Sequence, residues 1–291
     1  MNYLRYALAP FALLIVLALS SCVLSYVILM LAGDILPLHK LVSKGTLVLL
    51  ILSIFPLRRY LSLSWADIGY APKNIFFKQL VLGLGLGLLT LLPIIFLLFS
   101  IDVNIWDVSK EWTVPKLIGR LLIALFLGLL ISFAEESIFR GLLLTSFRKK
   151  MAVSVAIFFS ATYYSALHFL KSTTHIPYEK ITFSSSFQLF GEAFTNYYKP
   201  EFVTAFIALV MVGIFLALIR TQVKNSLGLC IGYHASWVWV LKMNRDVLNI
   251  NHQSEYFYLV SNYDGVIGLL VSGWMFLASA AYLAYLYKIK E

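Results

Sequence analysis

LIGRLLIALFLGLLISFAEESIFRGLL, residues 117–143, is the stretch on which the fold turns. From Leu117 to Ile131 it is apolar apart from Arg120, and it then sets Glu135, Glu136 and Arg140 among Phe, Ala, Ile and Gly. At ~1.5 Å per residue, a helix of about 20 such residues crosses the ~30 Å hydrocarbon core of a bilayer. Besides the block at 117–136, seven others have similar length and composition, near 7–31, 41–57, 79–100, 152–170, 202–219, 225–243 and 265–287. The chain is 60% hydrophobic and only 13% charged, against roughly 25% charged in an average soluble domain. An open sheet would leave backbone groups unpaired in lipid, whereas a helix pairs its own. The sequence therefore predicts an all-α, polytopic integral membrane protein with about eight transmembrane helices. The longest polar-tolerant gap, 171–201, has 31 residues, so residues 1–291 read as a single transmembrane domain.

Charge sets the expected orientation and excludes one class of partner. With the N-terminus inside, the inner segments hold twelve Lys and Arg, Arg58, Arg59, Arg148, Lys149 and Lys150 among them, against Asp67 and Glu291 alone. The opposite loops hold nine Lys and Arg with ten Asp and Glu. This asymmetry predicts both termini in the cytoplasm, and a plasma (inner) membrane is the expected location. The net charge of +9 thus belongs to a bilayer partner and not to nucleic acid. Arg5 and Leu19-Ser20-Ser21-Cys22 resemble a lipoprotein signal, but the apolar run continues to Leu31 and reads as an uncleaved first helix. Cys22 and Cys230 both lie in apolar blocks, where no structural disulfide is expected.

Local patterns refine the layout. The fourth span is expected to begin at Pro115, a suitable first-turn residue, and to continue as helix to about Phe147. Its roughly 46 Å exceed the apolar core, so it must tilt, kink or project. Phe187, Phe190 and Phe194, spaced i, i+3, i+7 in the 171–201 connection, predict a short helix on the membrane surface. Gly83 and Gly87, like Gly228 and Gly232, stand four apart and predict close helix–helix approach.

Apart from loops and span ends, the ionisable residues in the spans are Arg120, Glu135, Glu136, Arg140, His168 and His234. Such groups are costly in a membrane and mark functional positions. Arg120 lies near its span's start and can snorkel. Glu136 and Arg140 have the i, i+4 order of a helical ion pair. Glu135 is rotated about 100° from Glu136 and has no partner on its own helix. Tyr164 and His168 share a face four residues apart, and His234 follows Cys230 by the same interval. A glutamate and two histidines on neighbouring spans can bind zinc with an open position. They can also act without metal, with Glu135 as base on a water and the histidines assisting or stabilising an oxyanion. The metal is left open, Glu135, His168 and His234 being its candidate ligands. Counted along straight helices, the three sit at depths of roughly 21, 28 and 14 Å from the inner ends, a wide spread for one site.

At these residues the chain resembles the intramembrane peptidases grouped as CAAX prenyl proteases and bacteriocin-processing enzymes (CPBP, also called Abi). The likeness rests on Glu135-Glu136-x-x-x-Arg140-Gly141, then Tyr164-x-x-x-His168, then Gly232-x-His234, with Asp67-Ile68-Gly69 earlier, so that it spans about 58–243. It implies that Glu135 and His168 activate a water, that His234 helps bind a metal or hold the oxyanion, and that Glu136 and Arg140, with Tyr164, shape the site. Two positions depart from the family pattern. Tyr164 stands where Phe is usual, and Val238 stands where the His-x-x-x-Asn/Asp motif has its polar residue. Ser236 or the Trp237 indole N–H is the candidate replacement.

The expected function is therefore an intramembrane endopeptidase acting on a hydrophobic or lipid-anchored peptide. The alternative is a catalytically impaired relative that binds peptides in immunity or scaffolding, for which Val238 is the main support. A proton-relaying transporter ranks third, because the charges cluster and do not form a distributed path.

Overall fold

The computed structural model describes residues 2–290. Its principal helices are α1 (Asn2–Ala32), α2 (Leu38–Tyr60), α3 (Lys73–Ser100), α4 (Val114–Arg148), α5 (Val153–Phe169), α6 (Phe183–Glu192), α7 (Val203–Gln222), α8 (Leu227–Val247) and α9 (Leu269–Lys290). Each of the eight apolar blocks falls on one of these helices, and α6 is the short aromatic helix of the 171–201 connection. Six of them, α1 to α4, α7 and α9, are long and apolar enough to cross a membrane. The other two are α5, with 17 residues, and α8. Burial of every residue from Cys230 to Trp237 shows why α8 is less apolar. That part of α8 meets protein and not lipid.

Glycine lets α3 and α8 interlock. A Cβ on Gly232 would overlap the Leu80 carbonyl oxygen, and one on Gly83 would overlap that of Leu229. The backbones therefore touch where larger residues would hold them apart. Gly232→Ala is expected to cost about 1–3 kcal/mol by forcing the two helices apart, read as a lower unfolding midpoint in detergent. The same contact holds the turn bearing His234 in place.

α4 is one continuous helix with a π-helical turn over Ser137–Leu143, inside the charged stretch. The Ser160 hydroxyl on α5 donates to the Phe139 carbonyl at 3.0 Å, and Tyr70 and Ser137 hydrogen-bond through their hydroxyls at 2.7 Å. A side chain inserted into the helical ladder is a regular cause of such a turn, and π turns favour functional sites. The Asp67-Ile68-Gly69 stretch clasps one end of the bundle. Arg220 of α7 donates to the Asp67 carbonyl at 2.8 Å, and the Leu227 N–H that opens α8 donates to the Gly69 carbonyl at 3.0 Å. Gly69 has φ +103°, a conformation that other residues rarely adopt.

At the opposite end α6 packs Leu189, with Phe187 and Phe190, against Leu29, Leu38 and Val42 of α1 and α2. That end also carries an antiparallel ribbon of β1 (Asn104–Trp106) and β2 (Leu248–Ile250), pairing Asn104 with Ile250. Three-residue strands are too short to leave a period-2 pattern, so the ribbon was not legible in the sequence.

Candidate active site

Three helices bring their ionisable residues together. α4 places Glu135 and Glu136 immediately before the π turn, α5 places His168 in its last turn, and α8 places His234 in its second turn. His168 Nε2 lies 3.7 Å from Glu135 Oε2, and His234 Nε2 lies 3.8 Å from the same oxygen. The straight-helix count of depths is therefore corrected. His234 is seven residues past the start of α8, His168 fifteen past the start of α5, and Glu135 thirteen before the end of α4. Their convergence means that the helix ends from which depth was counted do not serve as one common baseline.

Backbone and carboxylate acceptors fix both imidazoles. His168 Nδ1 is 2.8 Å from the Tyr164 carbonyl oxygen. His234 Nδ1 is 2.9 Å from Glu136 Oε1. Neither oxygen can donate, so each Nδ1 carries a proton, and each ring in its neutral form presents the Nε2 lone pair to Glu135. The link between Glu136 and His234 joins residues 98 apart in sequence and has no local signature.

Glu136 also pairs with Arg140, Oε1 to Nη1 at 3.0 Å, and the two side chains are 0% and 1% exposed. The contact is an ion pair without an aligned hydrogen bond. The Arg140 guanidinium lies over the Tyr164 ring, 4.2 Å from its centroid. Burial of a charge demands such partners. The two residues expected to pair do so, and together they brace His234 and Tyr164. Glu135 differs. Its side chain is 20% exposed and its Oε2 has no hydrogen-bond partner among the described residues.

Glu135 and His168 both line two cavities. The first, about 240 Å³, lies between α1, α2 and α6, and its walls include Leu14, Leu47, Leu50 and Phe190. The second, about 300 Å³, is lined by Tyr164, His234, Val238 and Tyr263, with Lys171, Lys242, Arg245 and Asp264. These four charged residues lie outside the sequence-predicted site. On α8 the face His234, Val238, Lys242, Arg245 was readable from helical spacing, whereas Tyr263 and Asp264 come from a loop and were not.

The proposed stand-ins for the missing polar residue at 238 are corrected by the structure. The Trp237 Nε1–H donates to Thr90 Oγ1 at 3.1 Å, and the Ser236 hydroxyl donates to the Tyr233 carbonyl at 2.8 Å. Both donors are engaged away from Glu135. Cys230 likewise turns its thiol to the Leu216 carbonyl.

One carboxylate and two imidazole lone pairs form a donor set that suits zinc, and the unpartnered Glu135 Oε2 suits an added group. A tetrahedral set with bonds of ~2.0 Å has ligand–ligand edges of ~3.3 Å, so these side chains would close by several tenths of an ångström around an ion. Among the described residues no three His, Cys, Asp or Glu side chains already have metal-holding spacing. Zinc held by Glu135, His168 and His234 would supply a Lewis acid and an acidified water.

Residues 117–240 match the family model described as Rce1-like, type II CAAX prenyl endopeptidase Rce1-like. No curated protein and no solved structure matched the chain. The matched segment runs from α4 into α8 and contains Glu135, Glu136, Arg140, Tyr164, His168 and His234.

Proposed function

Through residues 117–240 the chain belongs to the CPBP family of CAAX-type proteases, and on that premise we propose that it hydrolyses a peptide bond in a hydrophobic or lipid-anchored peptide within the membrane. One observation carries this reading: an unpartnered carboxylate oxygen faces two imidazole Nε2 atoms at 3.7 and 3.8 Å beside two cavities. Three acceptors at this spacing are suited to hold a water that donates both its protons, one to Glu135 and one to a histidine.

Glu135 takes a proton from that water as the oxygen adds to the scissile carbonyl. His168 orients the water through its second proton. Glu136, neutralised by Arg140, keeps the proton of His234 on Nδ1 and so preserves the acceptor at Nε2. On collapse of the tetrahedral species the C–N bond breaks, and the leaving nitrogen receives the proton held by Glu135. The products are a carboxylic acid and an amine. The largely apolar cavity against α1, α2 and α6 supports a hydrophobic or lipid-bearing portion of the substrate.

An internally quenched, farnesylated peptide ending in a C-a-a-X motif tests this directly. The purified chain in detergent micelles is expected to cleave it, and to cleave the unprenylated peptide more slowly. Cleavage of neither would contradict the proposal. Val238 favours a second reading, an impaired relative that binds peptide without efficient turnover. A gain of ~100-fold or more on Val238→Asn would support that reading, since one oxyanion donor accounts for about that much.

A further inference from the structure

The cluster around Glu135 is rich in acceptors and short of donors. Addition of water to an amide puts negative charge on the carbonyl oxygen, which then needs a positioned donor. Glu135 Oε2 and both Nε2 atoms are acceptors with the protons placed as above. The Tyr233 hydroxyl and the Trp237 N–H both donate to Thr90, at 2.6 and 3.1 Å. Val238 offers nothing. Lys242 and Arg245 lie eight and eleven residues beyond His234, roughly 12 and 16 Å along α8. Tyr263 makes no hydrogen bond to the cluster among the described residues and lies against Phe169 and Lys171.

The Lys171 ammonium lies over the Tyr263 ring and the Arg140 guanidinium over the Tyr164 ring beside Glu136, and one neutral hydroxyl lies within reach of His234 Nε2. Tyr164 lines the same cavity as Val238, and its hydroxyl lies 3.4 Å from His234 Nε2. The Tyr164 ring is 2% exposed and held by Phe139, His168 and the Arg140 guanidinium. At 3.4 Å its hydrogen bond to His234 is weak and readily exchanged. We infer that the Tyr164 hydroxyl is the donor to the scissile carbonyl oxygen in this chain, and that it does the work left undone at Val238.

On substrate entry the hydroxyl turns from His234 Nε2 to the carbonyl oxygen. The water–carbon bond forms, the carbonyl π pair moves onto oxygen, and the oxyanion accepts the Tyr164 O–H. Glu135 holds the water's proton until the C–N bond breaks and the nitrogen takes it. Tyr164 is neither oxidised nor deprotonated overall.

The inference rests on the hydrolytic reading, so the test separates the two. With the farnesylated quenched peptide, Tyr164→Phe is expected to lower kcat by roughly 10²–10³ with KM within about twofold of the parent. Val238→Asn added to Tyr164→Phe places an amide in the same cavity and is expected to recover kcat at least ~10-fold, which a packing role for the hydroxyl would not allow. A Tyr164→Phe enzyme at the parent's kcat, a loss confined to KM, or no recovery in the double variant overturns the donor role. If Glu135→Gln is inactive in that same series, the hydrolytic reading still stands. An active Glu135→Gln, or an inactive parent, removes both.

Discussion

Glu135→Gln is expected to lower kcat by about 10³ or more while leaving the fold intact. A positioned general base contributes roughly 10²–10⁴ to rate, and the amide cannot take a proton from water. The same change has little structural consequence because Glu135 Oε2 is not hydrogen-bonded to the protein. Its nearest charged or basic neighbours are the two Nε2 atoms at 3.7 and 3.8 Å. The unfolding temperature in detergent should therefore move by about 2 °C or less. Peptide binding should persist, seen as an unchanged inhibition constant for an uncleavable peptide competing with the fluorogenic one. A Glu135→Gln protein that turns over at a tenth of the parent rate or faster would place the base elsewhere.

Arg140→Met is expected to have the largest effect on stability, about 3–5 kcal/mol, because it leaves the Glu136 charge buried and uncompensated. Glu136 is 0% exposed and shares Oε1 between Arg140 and His234. Met keeps most of the volume over the Tyr164 ring, so the loss isolates charge from packing. The double variant Glu136→Gln/Arg140→Met removes both charges and keeps an oxygen acceptor for His234 Nδ1. It should recover most of the lost stability, a coupling that equilibrium unfolding of the four proteins measures directly. Equal destabilisation in the single and double variants would show that Arg140 acts through shape and not through charge.

The two side chains behave differently because Glu135 and Glu136, adjacent in sequence, point about 100° apart. That division was legible from residues 133–143 alone: Glu136 with Arg140 as a pair, Glu135 left over. The helices were legible too, since length and apolar content govern what a bilayer accepts. The aromatic spacing of Phe187, Phe190 and Phe194 located the short helix α6. What sequence could not convey was registration between helices. The depths counted for Glu135, His168 and His234 assumed equal starting planes, and the fold does not provide them. Nor could spacing reveal that Glu136 holds His234, or that Ser160 donates to the Phe139 carbonyl within the π turn beside the glutamates. Both links join different helices, where no local period exists. The choice of Ser236 and Trp237 as replacements for a polar residue at 238 failed for two reasons: Ser236 turns back to the Tyr233 carbonyl of its own helix, and Trp237 is taken by Thr90 across the tight α3–α8 contact.

The most direct test of water activation at Glu135 is a single-turnover cleavage of the farnesylated peptide in H₂¹⁸O, with the products read by mass spectrometry. Direct attack by water predicts one ¹⁸O in the newly formed carboxylate from the first turnover. A first-turnover product without the label, with ¹⁸O appearing instead in the Glu135 side chain, would show covalent attack by the carboxylate and contradict its role as a base.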